Sequence, residues 1–153
     1  MYEDLIEKKI SSEAIFDGVL LHVKRDTVKL PNGKEATREW IKHPGASSVI
    51  PLLPDGRIIL VRQYRYPIDA VTLEVPAGKL EPGEAPELAA ARELSEETGL
   101  TAGRLQYLGA NFTSPGYSEE VLHIYLARDL HRGAAHLDPG EFLNVERHPL
   151  EEL

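Results

Sequence analysis

The chain has 153 residues, a formal net charge of −8 and no cysteine. That length supports one domain with a sizeable core, 1–153, and not two; the missing cysteines exclude disulfides and thiolate metal sites, so any metal must be held by oxygen or imidazole; the acidity excludes broad electrostatic attraction to nucleic acid. No apolar run approaches the roughly eighteen residues of a membrane span, and the opening "MYEDLIEKKI" is acidic where a secretion signal is basic and then apolar, so a soluble, cytoplasmic protein without membrane or nucleic-acid partners is expected.

The first dozen residues read as a loosely tethered arm. From Gly18 to Lys29, "GVLLHVKRDTVK" alternates as a strand does, "LPNGK" (30–34) is a turn with Asn32-Gly33 at its tip, and "EATREWIK" (35–42) returns, which predicts a β-hairpin. "SSVIPLL" and "RIILVRQYR" flank Pro54-Asp55-Gly56 and predict a second hairpin, apolar enough to lie in a core sheet. "AVTLEVPAGK" gives a short strand that stops near Pro76, because proline lacks the ladder donor.

The periodicity then turns helical. Pro86 suits a first helical turn, Gly99 suits the residue past the end, and Leu88, Ala91, Leu94 and Ser95 share one face. "LQYLGAN", "VLHIYLARDL" and "FLNVERH" read as later strands, separated by "FTSPGYSEE" and "HRGAAHLDPGE". Strands in the majority around one long helix indicate a mixed α/β or α+β sandwich.

At about 100° per residue, Glu93, Glu96 and Glu97 fall within roughly one 100° arc of that helix, with Ala89 and Ala90 one turn earlier on the same side. Three acids on one arc repel one another, and such a trio by itself is simply a solvated helix face. A hard divalent cation converts the repulsion to attraction: Mg²⁺ takes oxygen ligands in near-octahedral geometry, keeps several waters and bridges to phosphate oxygens.

The trio does not stand by itself. Gly78, Glu84, Arg92, Glu93, Glu96, Glu97 and Gly99, with aliphatic Leu94 and Leu100, match the Nudix box without departure, so the sequence resembles a Nudix hydrolase. "LEVPAGK" (73–79), Pro115 fifteen residues past Leu100, and "TREW" (37–40) ahead of "HPGAS" (43–47) resemble the ADP-ribose pyrophosphatase subfamily.

The resemblance implies an α/β/α sandwich with a mixed β-sheet. It implies an N-terminal β-hairpin extension (arm and extension 1–42, core 43–153) through which two copies form a homodimer. It implies Mg²⁺, with Mn²⁺ as a substitute, on Glu93, Glu97, Glu96 and the carbonyl of Ala77, with Arg92 and Glu84 orienting the acids. It implies that Arg38 and Arg65 take phosphate or ribose, that Trp40 stacks the adenine, and that Pro115 and Glu120 line the substrate site. By the same resemblance the catalytic base is expected to be Glu141 in "HLDPGEF", Asp138 being the other acid there and Glu96 the runner-up. The implied reaction is Mg²⁺-dependent hydrolysis of ADP-ribose to AMP and ribose 5-phosphate. The alternative is hydrolysis of a nucleoside diphosphate sugar such as GDP-mannose or an ADP-sugar, and a non-catalytic ADP-ribose sensor ranks lower because the box is intact. The chain ends at "HPLEEL", where subfamily members continue for another helix or two, so a short or lost C-terminal helix is expected.

Overall fold

The Asn32-Gly33 turn closes as its residues dictate. Leu30 and Lys34 are joined by a backbone hydrogen bond of 2.8 Å, Asn32 Oδ1 accepts the Lys34 amide at 3.0 Å, and Gly33 sits at φ +84°, a conformation glycine adopts without penalty. The computed structural model in which this turn is seen describes residues 2–133, 137, 140 and 142–152. It divides into two compact units, the first comprising the chain up to His43 with Phe112–Glu120, the second Pro44–Asn111 with the chain from Val121 onward.

In the first unit, β1 (Lys8–Asp17), β2 (His22–Lys29) and β3 (Glu35–Lys42) form an antiparallel sheet in that order. The β2–β3 hairpin is the one the alternation predicts. β1 corrects the expectation of a loose arm: every one of its residues is exposed, so it carries no alternation to read, and its order comes from backbone pairing with β2 across two register shifts. The 112–120 segment joins β3 through the Ile41 amide to Tyr117 O (2.7 Å) and the Glu119 amide to Ile41 O (3.2 Å).

The second unit carries β4 (Ala46–Pro51), β5 (Arg57–Arg65), β6 (Ala70–Glu74), β7 (Ala77–Lys79), α1 (Pro86–Thr98), β8 (Leu100–Phe112, its last residue counted with the first unit), β9 (Val121–Arg132) and β10 (Leu143–Pro149). One sheet runs β7-β4-β9-β8, with β4 parallel to β9 and antiparallel to β7; the other runs β10-β5-β6, antiparallel throughout. The fold is therefore mixed α/β, mostly strands with one α-helix among the described residues. That helix is neither long nor apolar enough to cross a membrane.

The second predicted hairpin differs from expectation. The turn at Pro54-Asp55-Gly56 does close, through the Leu53 amide to Arg57 O (2.8 Å), but β4 and β5 share only the Leu52–Ile58 bridge and then enter different sheets. Prolines at 51 and 54 remove the donors a continuous ladder would need. Pro76 does the same farther on: β6 ends at Glu74, and "AGK" starts β7 in the other sheet.

Leu94 and Ala90 of α1 pack with Val49 of β4 and Tyr125 and Ala127 of β9 in the core. β5 buries Ile58, Ile59, Leu60 and Val61 consecutively, as a strand covered on both faces does.

Candidate active site

α1 begins and ends where its sequence says. Pro86 occupies the first turn, Ala85 makes no side-chain cap, and Gly99 at φ +67° donates its amide to Ser95 O at 2.9 Å. The buried face, however, is Ala89, Ala90, Glu93, Leu94 and Glu97, whereas Leu88 is 64% exposed. Of the expected apolar face, Leu94 is buried and Ala91 and Ser95 are half-buried, while Leu88 is turned to solvent. The two alanines are fully buried and leave no gap on the acidic side; their small size lets the helix lie close to the sheet, on β4 and β7. Two of the box acids are thereby carried inward.

Glu93 and Glu97 are 9% and 5% exposed, which is rare for carboxylates. A methyl group on Gly78 of β7 would overlap the Glu93 carboxylate, so glycine is needed there for contact rather than for an unusual backbone angle. That contact seats Glu93 directly against the strand carrying Ala77.

Arg92 organises the acids. Its Nε and one terminal nitrogen bond both oxygens of Glu84 (2.9 and 3.0 Å), its other terminal nitrogen reaches Glu93 Oε1 (2.6 Å) and Glu96 Oε2 (2.9 Å), and Lys79 O accepts a further bond at 3.1 Å. Glu84 is fixed in turn by the Glu81 amide. Pairing first with Glu84, then with Glu93 and Glu96, raises the affinity of Arg92 for its proton, and the same guanidinium holds the Glu84 carboxyl below its usual range. One guanidinium touching three carboxylates leaves a surplus of negative charge.

Among the described residues, no three His, Asp or Glu side chains form a ready cage for a metal ion; Arg92 neutralises Glu93 and Glu96 instead. The donor set still fits a hard divalent cation, being all carboxylate and carbonyl oxygen and surplus in negative charge, with the Glu93 carboxylate packed against Gly78, next to Ala77.

The remaining residues of the sequence reading fall in several places. In the second unit, Arg65 of β5 clamps Glu74 of β6, Nε to Oε1 at 2.9 Å and a terminal nitrogen to Oε2 at 2.6 Å, with Thr72 on the same carboxylate. Arg65 is the chief cause that lowers the Glu74 pKa. In the first unit, Arg38, Trp40 and Pro115 do come together: they line a pocket of about 390 Å³ with Phe112, Tyr117 and Glu119. Glu120 is not among them. It bonds Thr113, lies 3.7 Å from His43 Nε2, and lines a neighbouring cavity of about 230 Å³. Glu141 and Asp138 lie outside the described residues. His123 packs on Tyr107, with ring centroids 6.1 Å apart, as an ordinary sheet residue.

Two acids escaped the sequence reading. Glu74, inside "LEVPAGK", holds Arg65, and Glu7, in the segment read as a loose arm, holds Arg38 through Nε at 2.9 Å and a second, short bond. Facing strands bring Glu74 to Arg65, and no spacing in the sequence signals Glu7.

Comparison with known proteins adds the following. Residues 42–153 match the model of the NUDIX domain, and residues 7–41 match that of the nucleoside diphosphate sugar hydrolase N-terminal domain. The chain is 45% identical over 152 residues to an ADP-ribose pyrophosphatase of Bacillus subtilis, covering 98% of this chain and 82% of that one. It is 43% identical over 148 residues to a methanol dehydrogenase activator of Bacillus methanolicus, covering 95% and 80%. Among solved structures, an ADP compounds hydrolase superposes with a TM-score of 0.84 at 27% identity, over 97% of this chain and 82% of the other.

Proposed function

We propose, because this chain belongs to the NUDIX domain family, that it is the hydrolase that splits the pyrophosphate bond of ADP-ribose into AMP and ribose 5-phosphate. The observation that carries the reading is the Arg92 hub: one guanidinium gathers Glu84, Glu93 and Glu96, on a helix that buries Glu93 against Gly78 and also buries Glu97. A face meant only for solvent would not carry its acids inward. The names of the relative from Bacillus subtilis and of the superposing structure support the substrate class. The name of the Bacillus methanolicus relative states an effect on another enzyme and not a reaction, so it does not compete as a statement of chemistry.

We assign Glu93, Glu97, Glu96 and the Ala77 carbonyl as the oxygen donors for Mg²⁺, or Mn²⁺ in its place. The chemistry such an ion supplies when bound is neutralisation of the diphosphate and a more acidic water. Arg92 holds Glu93 and Glu96 in place and Glu84 fixes Arg92. Arg65 and Arg38 offer guanidinium edges to phosphate or ribose, each steadied by its own carboxylate. The Trp40 ring offers a stacking face for the base, with Pro115 in the same pocket. Glu120, Glu141 as base and Glu96 as the alternative base stand on the resemblance alone. The same resemblance supports a cytoplasmic homodimer of single Nudix domains paired through the 1–42 extension.

Incubation of the purified protein with Mg²⁺ and a panel of diphosphate compounds, with products separated by chromatography, tests the proposal. AMP and ribose 5-phosphate from ADP-ribose are expected. Failure to release a nucleoside monophosphate from any compound overturns it. The match of residues 7–41 favours a second reading, hydrolysis of a nucleoside diphosphate sugar, which turnover of GDP-mannose or an ADP-sugar without turnover of ADP-ribose would establish.

A further inference from the structure

Arg38 is bonded to one carboxylate and stands in strand register with another. Its Nε donates to Glu7 Oε2 at 2.9 Å, a terminal nitrogen bonds Glu7 Oε1, and the other terminal nitrogen donates to Thr37 O at 3.0 Å. Glu7 lies just ahead of β1, on the segment leading into the sheet. The second carboxylate belongs to Asp26 of β2, the register partner of Arg38. Residues paired in direct register project from the same face with Cβ atoms about 4.5–5.5 Å apart, within easy reach of an arginine side chain.

Asp26 is 7% exposed, and its Oδ1 is buried and accepts no hydrogen bond. A buried carboxylate oxygen without a donor is costly and therefore calls for one. In direct register with it stand Ser12 of β1 and Arg38 of β3, and of these only Arg38 carries a positive charge. The guanidinium that would satisfy Asp26 is occupied by Glu7.

We propose that Glu7 is a positioning residue, which keeps the Arg38 fork at the pocket lined by Trp40 and Pro115 by outcompeting Asp26 for it. Without the Glu7 charge the fork folds back onto Asp26, inside the sheet face, and the pocket loses its cation. The two acids have different roles in this competition: the more exposed Glu7 holds the arginine where a ligand anion can reach its remaining N–H groups, and the buried Asp26 is the trap. Among the described residues that line the pocket, Arg38 is the one that is cationic, so its position decides whether an anionic group is held there. The inference rests on the assignment of Arg38 to substrate made above.

The test is a cycle of Glu7→Gln, Asp26→Asn and the double variant. Glutamine keeps the size of Glu7 but not its charge, so the charged Asp26 wins the fork. Binding of ADP-ribose is measured by calorimetry in EDTA, where no turnover occurs. Glu7→Gln is expected to bind about tenfold more weakly, the size of one hydrogen bond between charged groups. The double variant, with the trap removed, is expected to recover most of that loss, and in steady-state turnover with Mg²⁺ the Glu7→Gln change should appear in KM and not in kcat. A Glu7→Gln protein that binds within about twofold of the parent, or a double variant no better than Glu7→Gln, overturns the proposal. A crystal structure of Glu7→Gln reads the arginine without any ligand: a guanidinium nitrogen bonded to Asp26 Oδ1 supports the competition, and Arg38 still turned away from Asp26 refutes it. Failure of the parent protein to bind ADP-ribose is thus a failure of the functional reading, and the crystal structure still decides this one.

Discussion

Replacing Arg92 with alanine removes the positive charge at the centre of the box in one step. The guanidinium is bonded to Glu84, Glu93, Glu96 and Lys79 O, and its side chain is 25% exposed. Breaking a buried ion pair by deleting one partner costs about 3–5 kcal/mol, because the other charge stays behind unneutralised. Here Glu84 and Glu93 are more deeply set than Glu96, with side-chain exposures of 12%, 11% and 31%, so water relieves part of the loss. The lower end, about 3 kcal/mol, is expected. For a chain of this size, each kcal/mol moves the melting temperature by about 2–4 °C, so Arg92→Ala should melt about 6–12 °C lower in EDTA at neutral pH, read by calorimetry or circular dichroism. The carboxylates released from Arg92 then face an added cation with no competitor. Millimolar Mg²⁺ should therefore raise the melting temperature of Arg92→Ala by more than that of the parent. A variant that melts within about 2 °C of the parent in EDTA, or an equal gain from Mg²⁺ in both proteins, refutes the claim that arginine and cation neutralise the same acids.

Three further outcomes are expected. Glu97→Gln keeps the volume of a buried side chain and should fold normally while Mg²⁺-dependent turnover falls by orders of magnitude; near-normal turnover removes Glu97 from the site. Trp40→Ala should raise KM for ADP-ribose by about tenfold or more with kcat little changed, since stacking of a base on an aromatic ring contributes about 1–3 kcal/mol; an unchanged KM places the base elsewhere. Glu146 of β10, held at about 2 by Arg62 and then by His148 against an ordinary value of 4.5, gives stability that is fully present above that ordinary value and is lost as pH falls through about 2. Glu146→Gln should flatten this part of the acid limb in urea titrations at stepped pH, and an acid limb identical to that of the parent would show that the Arg62 pair contributes nothing.

Much of the candidate site could be read from spacing alone. Gly78, Glu84, Arg92, Glu93, Glu96 and Glu97 stand close together in the chain, and a helix of 3.6 residues per turn fixes the mutual directions of the last four once Pro86 and Gly99 have set its ends. The pairing of Arg92 with Glu96, one helical turn on, appears as a 2.9 Å bond. Less legible was the side of the helix that turns inward. Leu88 in place of Ala89 and Ala90 is the natural reading of an apolar face, yet the sheet accepts the alanines because their small side chains permit close approach, while Leu88 stays in solvent. Burial of Glu93 and Glu97 follows from that approach together with Arg92, and neither periodicity nor hydrophobicity indicates it.

By itself the sequence determined what is local: the Asn32-Gly33 turn, the ends of α1, the break at Pro76 and the order of acids along one helix, because each depends on backbone angles and spacings within a few residues. Only the tertiary structure decided which strands pair and which carboxylate each arginine takes. β1 is ordered by its backbone bonds to β2 with no apolar pattern of its own, β4 and β5 part into separate sheets, and Arg38 meets Glu7 while Asp26 stays unbonded across the strand pair. Such choices are competitions among distant groups of like chemistry, settled by burial and reach, and these exist only once the chain has folded.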